Sequence, residues 1–437
     1  MKRNTLRAGA GIVAATLALG LAGCGLGTGG GGGEPAELSD EPVTLRMYWW
    51  GGDARHQRTQ EVIDLFEEKY PNITVEGEFS DWTAYWEKLA TSTAGKNSPD
   101  VIQMDQLYLA SYADRGTLVD LADYDISTKG MEESVLGMGE SDGGLYAIPI
   151  STSAMSTIVN TDLLDQIGVP LPENTDSWTW EEYMAWAKSV TDAAPSGTYG
   201  GSLAQNEFML QLFARQNDDS LFEDGDVAID PETMTAFFQT ALDSSSSGAS
   251  APASAWVESS SLALDQTPFA VGTVASSFIT ATQVSVFSQA SGANLELLPI
   301  PTTDGGVEEY DYFKAGMYWS VSSQSKHPAE AALLIDFFLN DPEAVKIIGS
   351  ERGLPAISTT LDVIGDDLTP EEVKAVEYSD SRVPYLGEAP AIVPNGASDV
   401  DAVLLRYMQD VLFGNKTPEA AATGFIADLQ KSIDAAG

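Results

Sequence analysis

The stretch "YWWGGD", residues 48–53, sets three aromatic rings in a row before two glycines, and it closes the β-rich run "VTLRMYWW". Strand side chains alternate between the faces of a sheet, so Trp49 and Trp50 point to opposite sides and Tyr48 shares the side of Trp50. One of the two tryptophans is expected in the core, which leaves the other to face a ligand. Nine tryptophans are present in all, and Trp82 and Trp86 lie in the next helical run. The chemistry of such a set is binding: the face of a ring packs against flat apolar surface. Nucleophile and metal chemistry are poorly supplied. The two histidines are His56 and His327, and the single cysteine is Cys24. Triads and metal sites built on histidine are thus poorly supplied, and one cysteine allows no cysteine zinc site and no intrachain disulfide. No metal or cofactor is expected.

Charge narrows the partner. The chain has 437 residues, 43% apolar and 20% charged, which fits a soluble globular protein of two or more lobes rather than a disordered one. Its formal charge of −43 argues against nucleic acid, which is bound through a cationic surface that releases counterions. It also disfavours adhesion to anionic lipid heads and fits a neutral or cationic partner. The carboxylates are spread along the chain, as in "DLFEEKY" and "EDGDVAID", and read as a solvated face. Their spacing supports neither a glycosidase pair nor an EF-hand loop.

The N-terminus reads as an address. Basic "KRNTLR" precedes the apolar, small-residue run "AGAGIVAATLALGLAG", which makes residues 1–23 a signal peptide. The exit "LAGC" resembles the bacterial lipobox, which implies lipidation of Cys24. Residues 24–41, rich in glycine, are expected to be a flexible tether behind that anchor. The mature protein is then extracytoplasmic and touches the cell membrane through lipid alone.

The body alternates strand and helix. "VTLRMYWW", "ITVEGEFS" and "PDVIQMD" read as strands; "RHQRTQEVIDLFEEKYPN", "WTAYWEKLATSTAGK" and "QLYLASYADRG" read as the helices after them. This is a parallel α/β pattern, in which ligands sit beyond the carboxyl ends of the strands. Three places therefore stand out: Trp49–Gly52, Ser80–Trp82 and Asp105–Tyr108. Further on, Thr179 with Glu182 predicts a capping box, and Asp224–Gly225 predicts a hairpin.

In this order, "LFEEKYPNITVE", "PDVIQMD", "GTLVDL", "GLYAIPISTSAMSTIVNTDLLDQIGV", "WTWEEYMAWAKSV", "SKHPAEAALLIDFFLNDPEA" and "RGLPA" resemble the extracellular carbohydrate-binding proteins of ABC importers, the family that includes maltose-binding protein. The resemblance covers the chain from Val43 to the C-terminus. It implies an α/β, two-lobed periplasmic-binding-protein fold, each lobe a mainly parallel sheet flanked by helices, joined by hinge crossovers. These are expected near Ile148–Ser151, Leu298–Pro301 and Asn340–Lys346. The N-terminal lobe is then 42–149 plus 300–342, and the C-terminal lobe 150–299 plus 343–437. It further implies an oligosaccharide held in the cleft and delivered to the permease subunits of the importer, with the ATPase engaged only indirectly, by a monomer that is not an enzyme. One departure bears on the cargo: Ser153 stands where maltose-binding protein has a sugar-contacting glutamate, which puts maltose itself in doubt.

A pyranose offers an apolar CH face to a ring and a rim of hydroxyls to directed donors and acceptors. On that basis the expected ligand-binding residues are Trp49 or Trp50, Trp82 and Trp319 as ring platforms. Gly51 would let a ring approach the backbone closely. Asp105, Gln106, Tyr108, Tyr318 and Arg352 are the expected polar partners. Thr280 and Gln283 lie in the segment through which the family's second lobe reaches its ligand. For the YWWGGD pair, Trp50 is the ring expected to stack. Two other readings stay open on sequence alone: a membrane-tethered glycan-active enzyme, and the same fold binding a polyamine, a glycerol phosphate or a peptide.

Overall fold

The structure, a computed structural model, describes residues 38–436 except 260, 261, 263, 307 and 308. The signal peptide, Cys24 and the tether as far as residue 37 lie outside the described residues. The chain begins with β1 (Val43–Trp50), α1 (Asp53–Lys69), β2 (Ile73–Ser80), α2 (Trp82–Ala94), β3 (Val101–Met104) and α3 (Gln106–Ala113). It continues through β4 (Ile148–Ser153), β5 (Met155–Asn160), α4 (Trp180–Ala193) and α5 (Glu207–Arg215). Then come β6 (Ser276–Thr280), β7 (Leu295–Leu298), β8 (Lys314–Val321), α6 (Pro328–Asn340), α7 (Pro342–Ile348) and β9 (Leu354–Pro355). Helices α8 (Pro370–Arg382), α9 (Val400–Leu412) and α10 (Pro418–Ala436) complete the set used below.

Two sheets organise these elements into two lobes. The first is six-stranded, in the order β9-β4-β8-β3-β1-β2. Its β1 is parallel to β2 and β3, while β8 runs antiparallel to β3 and β4. The second is β6-β5-β7, with both pairings antiparallel. The α/β, two-lobed class holds, but the parallel pattern expected of both lobes is confined to β1, β2 and β3. The second ladder differs because β4 passes into β5 through the single residue Ala154, and β6 and β7 return against it.

All three chain passages fall later than the sequence reading places them. β4 continues to Ser153, past Ile148–Ser151. Beyond Leu298 the chain stays with the second lobe: the Trp178 indole donates to Pro299 O (3.0 Å), Thr302 N–H to Trp178 O (3.0 Å) and Arg382 Nε to Asp311 (2.8 Å). It joins the first sheet only at Lys314, which faces Ser153 across the ladder. Likewise α7 remains on the first lobe, where Lys69 on α1 reaches Asp341 (2.8 Å) and Glu343 (3.0 Å), and β9 pairs with β4. An extended segment carries the same pleat and the same alternation whichever sheet it joins, so its sequence does not mark the passage.

The first sheet is buried on both faces. Val43, Leu45, Met47 and Trp49 enter a core shared with α1, α6 and α7, through Val62, Ile63, Phe66, Leu334 and Phe338. Tyr48, Trp50, Ile102 and Met104 enter the opposite core with Tyr85, Trp86 and Leu89 of α2. Gly77 is required here: a Cβ on it would lie 2.8 Å from the Trp49 ring. Caps fix where the helices begin. Asp81 accepts from Ala84 N–H, Asp105 from Leu107 N–H, and Thr179 with Glu182 forms the expected capping box. The expected hairpin is present as Phe222–Glu223 against Asp226–Val227.

Candidate functional site

Strands β1, β2, β3 and β4 end, and antiparallel β8 begins, on one edge of the first sheet. Side chains from those ends and from the starts of α2 and α3 therefore gather there. Alternation divides the tryptophan pair as anticipated. Trp49 is 0% exposed, on the α1 side, 5.8 Å from the His56 ring and 6.4 Å from Phe79. Trp50 turns the other way and meets Trp82 edge-on (5.0 Å), Tyr85 (5.1 Å) and Trp86 (5.7 Å). Trp86 stacks on Tyr108 of α3 at 3.9 Å, and Trp82 lies 6.1 Å from the same ring. The face left open belongs to Trp82, which is 40% exposed, while Trp50 is only 9% exposed. Trp50, the ring expected to stack on a ligand, is instead buried behind Trp82, because Trp82, Tyr85 and Trp86 cover it, and the open face is that of Trp82.

Polar groups lie next to the rings. Asp105 caps α3, accepting from Leu107 N–H at 3.0 Å. Burial raises its carboxyl above the ordinary value, outweighing the Leu107 hydrogen bond and the Lys314 charge, and Glu207 pushes it the same way as burial. Lys314 opens β8, and its ammonium donates to Glu207 Oε2 at 2.7 Å. Glu207 opens α5 of the second lobe and is 1% exposed, and its N–H donates to Asp401 of α9 at 2.6 Å. Burial works against the Lys314 charge, but Glu207, and behind it Asp105 and Asp401, hold that ammonium above the usual lysine value. Tyr318 is fully buried on β8, and burial, then Asp105 and Glu207, keep its hydroxyl well above the ordinary tyrosine value. Among the described residues Tyr318 Oη, Gln106 Oε1 and Glu207 Oε1 are buried without a hydrogen-bond partner. Two lobes, a ring platform and unsatisfied polar atoms converge here.

Several expected site residues lie elsewhere. Trp319 is 1% exposed in the α1-side core, 5.6 Å from Phe338, because alternation sends it away from Tyr318. Arg352 is buried on the same side, bonded to Thr59 at 2.8 Å and over the Trp319 ring. Burial, aided by Arg55, lowers it to about 9. Gly51 has φ +147°, and a Cβ there would meet Arg55 Cδ at 2.5 Å, so the space reserved for a ligand is filled by arginine. Thr280 and Gln283 are half-buried at the end of β6. The residue between them that reaches the first lobe is Thr282, whose N–H and hydroxyl both lie 3.2 Å from Ser153 Oγ. Sequence reading missed Glu207, Lys314 and Asp401. Gln205 was missed as well; it accepts from the Trp256 indole, and both residues line a second-lobe cavity of about 190 Å³. Asn206, the cap of α5, was the available signal for this corner, since a cap before "EFML" places Glu207 in the first turn.

Among the described residues no group of three or more His, Cys, Asp or Glu could hold a metal ion, and no helix is long and apolar enough to cross a membrane. The family model for the bacterial extracellular solute-binding protein matches residues 53–345. An uncharacterised lipoprotein of Streptomyces antibioticus is 26% identical over 344 residues, covering 74% of this chain and 72% of its own. A family 1 extracellular solute-binding protein of Alicyclobacillus acidocaldarius superimposes with TM-score 0.73 at 25% identity, over 90% of this chain and 99% of its own. An oligogalacturonide-binding protein of Yersinia enterocolitica, solved with saturated digalacturonic acid, gives TM-score 0.74 at 23% identity over 90% and 99%.

Proposed function

This chain belongs to the bacterial extracellular solute-binding proteins, and from that premise we propose that it captures an oligosaccharide between its lobes and hands it to the permease of an ABC importer. The observation that carries the reading is the open Trp82–Tyr108 surface beside Asp105, Lys314 and Glu207, groups drawn from both lobes. A sugar ring lays its CH face on Trp82, with Trp50 and Trp86 holding that indole upright. Its hydroxyls meet Gln106, Tyr318 and Glu207, whose buried atoms otherwise lack partners, and a sugar without those hydroxyls leaves them unpaired. Closure follows from contacts to both lobes, since a ligand shifts a two-state equilibrium only by binding one state better. The oligosaccharide bound by the Yersinia protein, which shares this fold, points to the same ligand class. The lipobox and tether support an extracytoplasmic protein held by a lipid anchor near its permease, where we take it to act as a monomer.

A melting-temperature screen against neutral, amino and acidic oligosaccharides, with spermidine, glycerol phosphate and a peptide mixture alongside, tests this. A saccharide at about 100 times Kd should add about 2.7 kcal/mol of stability. Stabilisation by spermidine, glycerol phosphate or peptide alone would overturn the sugar reading, and turnover of a glycan would replace capture with catalysis.

A further inference from the structure

We propose that this cleft selects saccharides carrying a free amine and rejects those carrying carboxylates. The proposal rests on the oligosaccharide reading and specifies the cargo of that same site. Three carboxylates, Asp105, Glu207 and Asp401, gather at the polar end of the platform around one ammonium, Lys314. That ammonium is bonded to Glu207 at 2.7 Å and lies over the Phe208 ring at 5.5 Å, so its one positive charge is already balanced by a buried carboxylate. Unpartnered acceptors remain beside it. Glu207 Oε1 and Gln106 Oε1 are buried with no donor, and both can only accept. The Tyr318 hydroxyl, wholly buried and unpartnered, lies within the electrostatic reach of both Asp105 and Glu207.

An ammonium brings three donors and one positive charge to this excess of acceptors. A uronate brings a further carboxylate to a site where three carboxylates already outnumber one ammonium, and like charges in a partly desolvated pocket repel strongly. The field has the same sign further along α3. A crevice of about 570 Å³ at its far end is lined by Asp114, Glu140 and Asp142 from the first lobe and Asp224 from the second, with no lysine or arginine in its lining. A cationic sugar is therefore drawn toward the cleft, and an anionic one opposed.

Calorimetric titration of the full chain with matched α1,4 and β1,4 di- to tetrasaccharides, each in amino, N-acetylamino, hydroxyl and uronate form, decides the matter. The amino member of at least one series should bind about tenfold or more tighter than its N-acetylated and hydroxyl partners, with the uronate weakest. That advantage should shrink at least threefold at high salt, and again in Asp105→Asn and Asp401→Asn, which remove charge while keeping shape. Equal binding of amino and neutral members, or a uronate as the tightest ligand, would overturn the proposal and leave the sugar reading standing. Binding of no saccharide in any form would overturn the sugar reading, and the proposal with it.

Discussion

Trp49 and Trp82 are both tryptophans near the same strand edge, yet they answer to different forces. Trp49 fills the α1-side core completely and has Gly77 shaped around it, so truncation leaves a large cavity. Trp49→Ala is expected to cost about 3–5 kcal/mol in a urea melt. Trp82 is half open and rests edge-on against Trp50. Trp82→Ala should leave the melt nearly unchanged and weaken saccharide binding about tenfold or more by fluorescence titration. An unchanged Kd there would remove Trp82 from the platform. Asp105 makes a second, pH-dependent prediction. It is faced by Lys314 and Glu207, with Tyr108 and Tyr318 beside it, and its folded-state carboxyl is raised above the model-compound value of 3.8. A raised acid contributes stability that is present below its unfolded value and lost as pH rises through its folded value. Asparagine caps α3 equally well but carries no charge. The ligand-free Asp105→Asn variant should therefore match wild type near pH 3.8 and melt increasingly above it as pH rises through the folded value, then level off. A difference that is flat across that range would mean the carboxylate is not penalised by its surroundings.

Elements were legible in the sequence where the rule governing them is local. The Thr179 capping box, the Asp224–Gly225 hairpin and the split of Trp49 from Trp50 each depend on residues within a few positions, and each appears as read. Alternation would also have separated Tyr318 from Trp319, yet both were assigned to the site; Tyr318 lies near Asp105 and Glu207, and Trp319 lies in the opposite core against Phe338. What stayed hidden is set by contacts far apart along the chain. Lys314 and Glu207 are 107 positions apart, and nothing near "FKAGMYW" announces that its lysine meets a glutamate on another lobe. Arg352 was assigned to the cleft from a short motif, whereas Thr59, 293 positions away, fixes it on the other side of the sheet. The chain passages failed for a related reason. The segment 299–313 looks like a lead-in to β8, but a buried ion pair holds it to the second lobe: Arg382 Nε to Asp311 Oδ2 at 2.8 Å, each side chain 2% exposed. Burial raises the Asp311 carboxyl, and the Arg382 guanidinium beside it only partly offsets that. Such a pair specifies which helix, here α8, receives the passage more than it adds net stability.

At the scale of the whole molecule, three covalent passages join the lobes, and the Lys314–Glu207 bond is a non-covalent contact across the cleft between them. If the lobes open and close about those passages, a contact made only when they are together biases the molecule toward closure before any ligand arrives. Removing one partner alone is a poor test, because it strands a buried charge and destabilises the fold on that account. The double variant Lys314→Met with Glu207→Gln removes the bond and both of its charges together, so neither partner is left as an unpaired buried ion. A charge-assisted bond of this kind contributes about 1–3 kcal/mol to the bias, which corresponds to about a 5- to 150-fold change in the ratio of closed to open molecules. The ligand-free double variant should therefore show a larger radius of gyration by small-angle X-ray scattering than ligand-free wild type, while still melting in one cooperative transition. Its saccharide affinity should fall as well, but that alone would not separate a lost ligand contact from a lost closure contact. The scattering of the ligand-free forms does separate them. Identical radii would mean that the pair serves the ligand and not the hinge, and that closure is driven by the sugar alone.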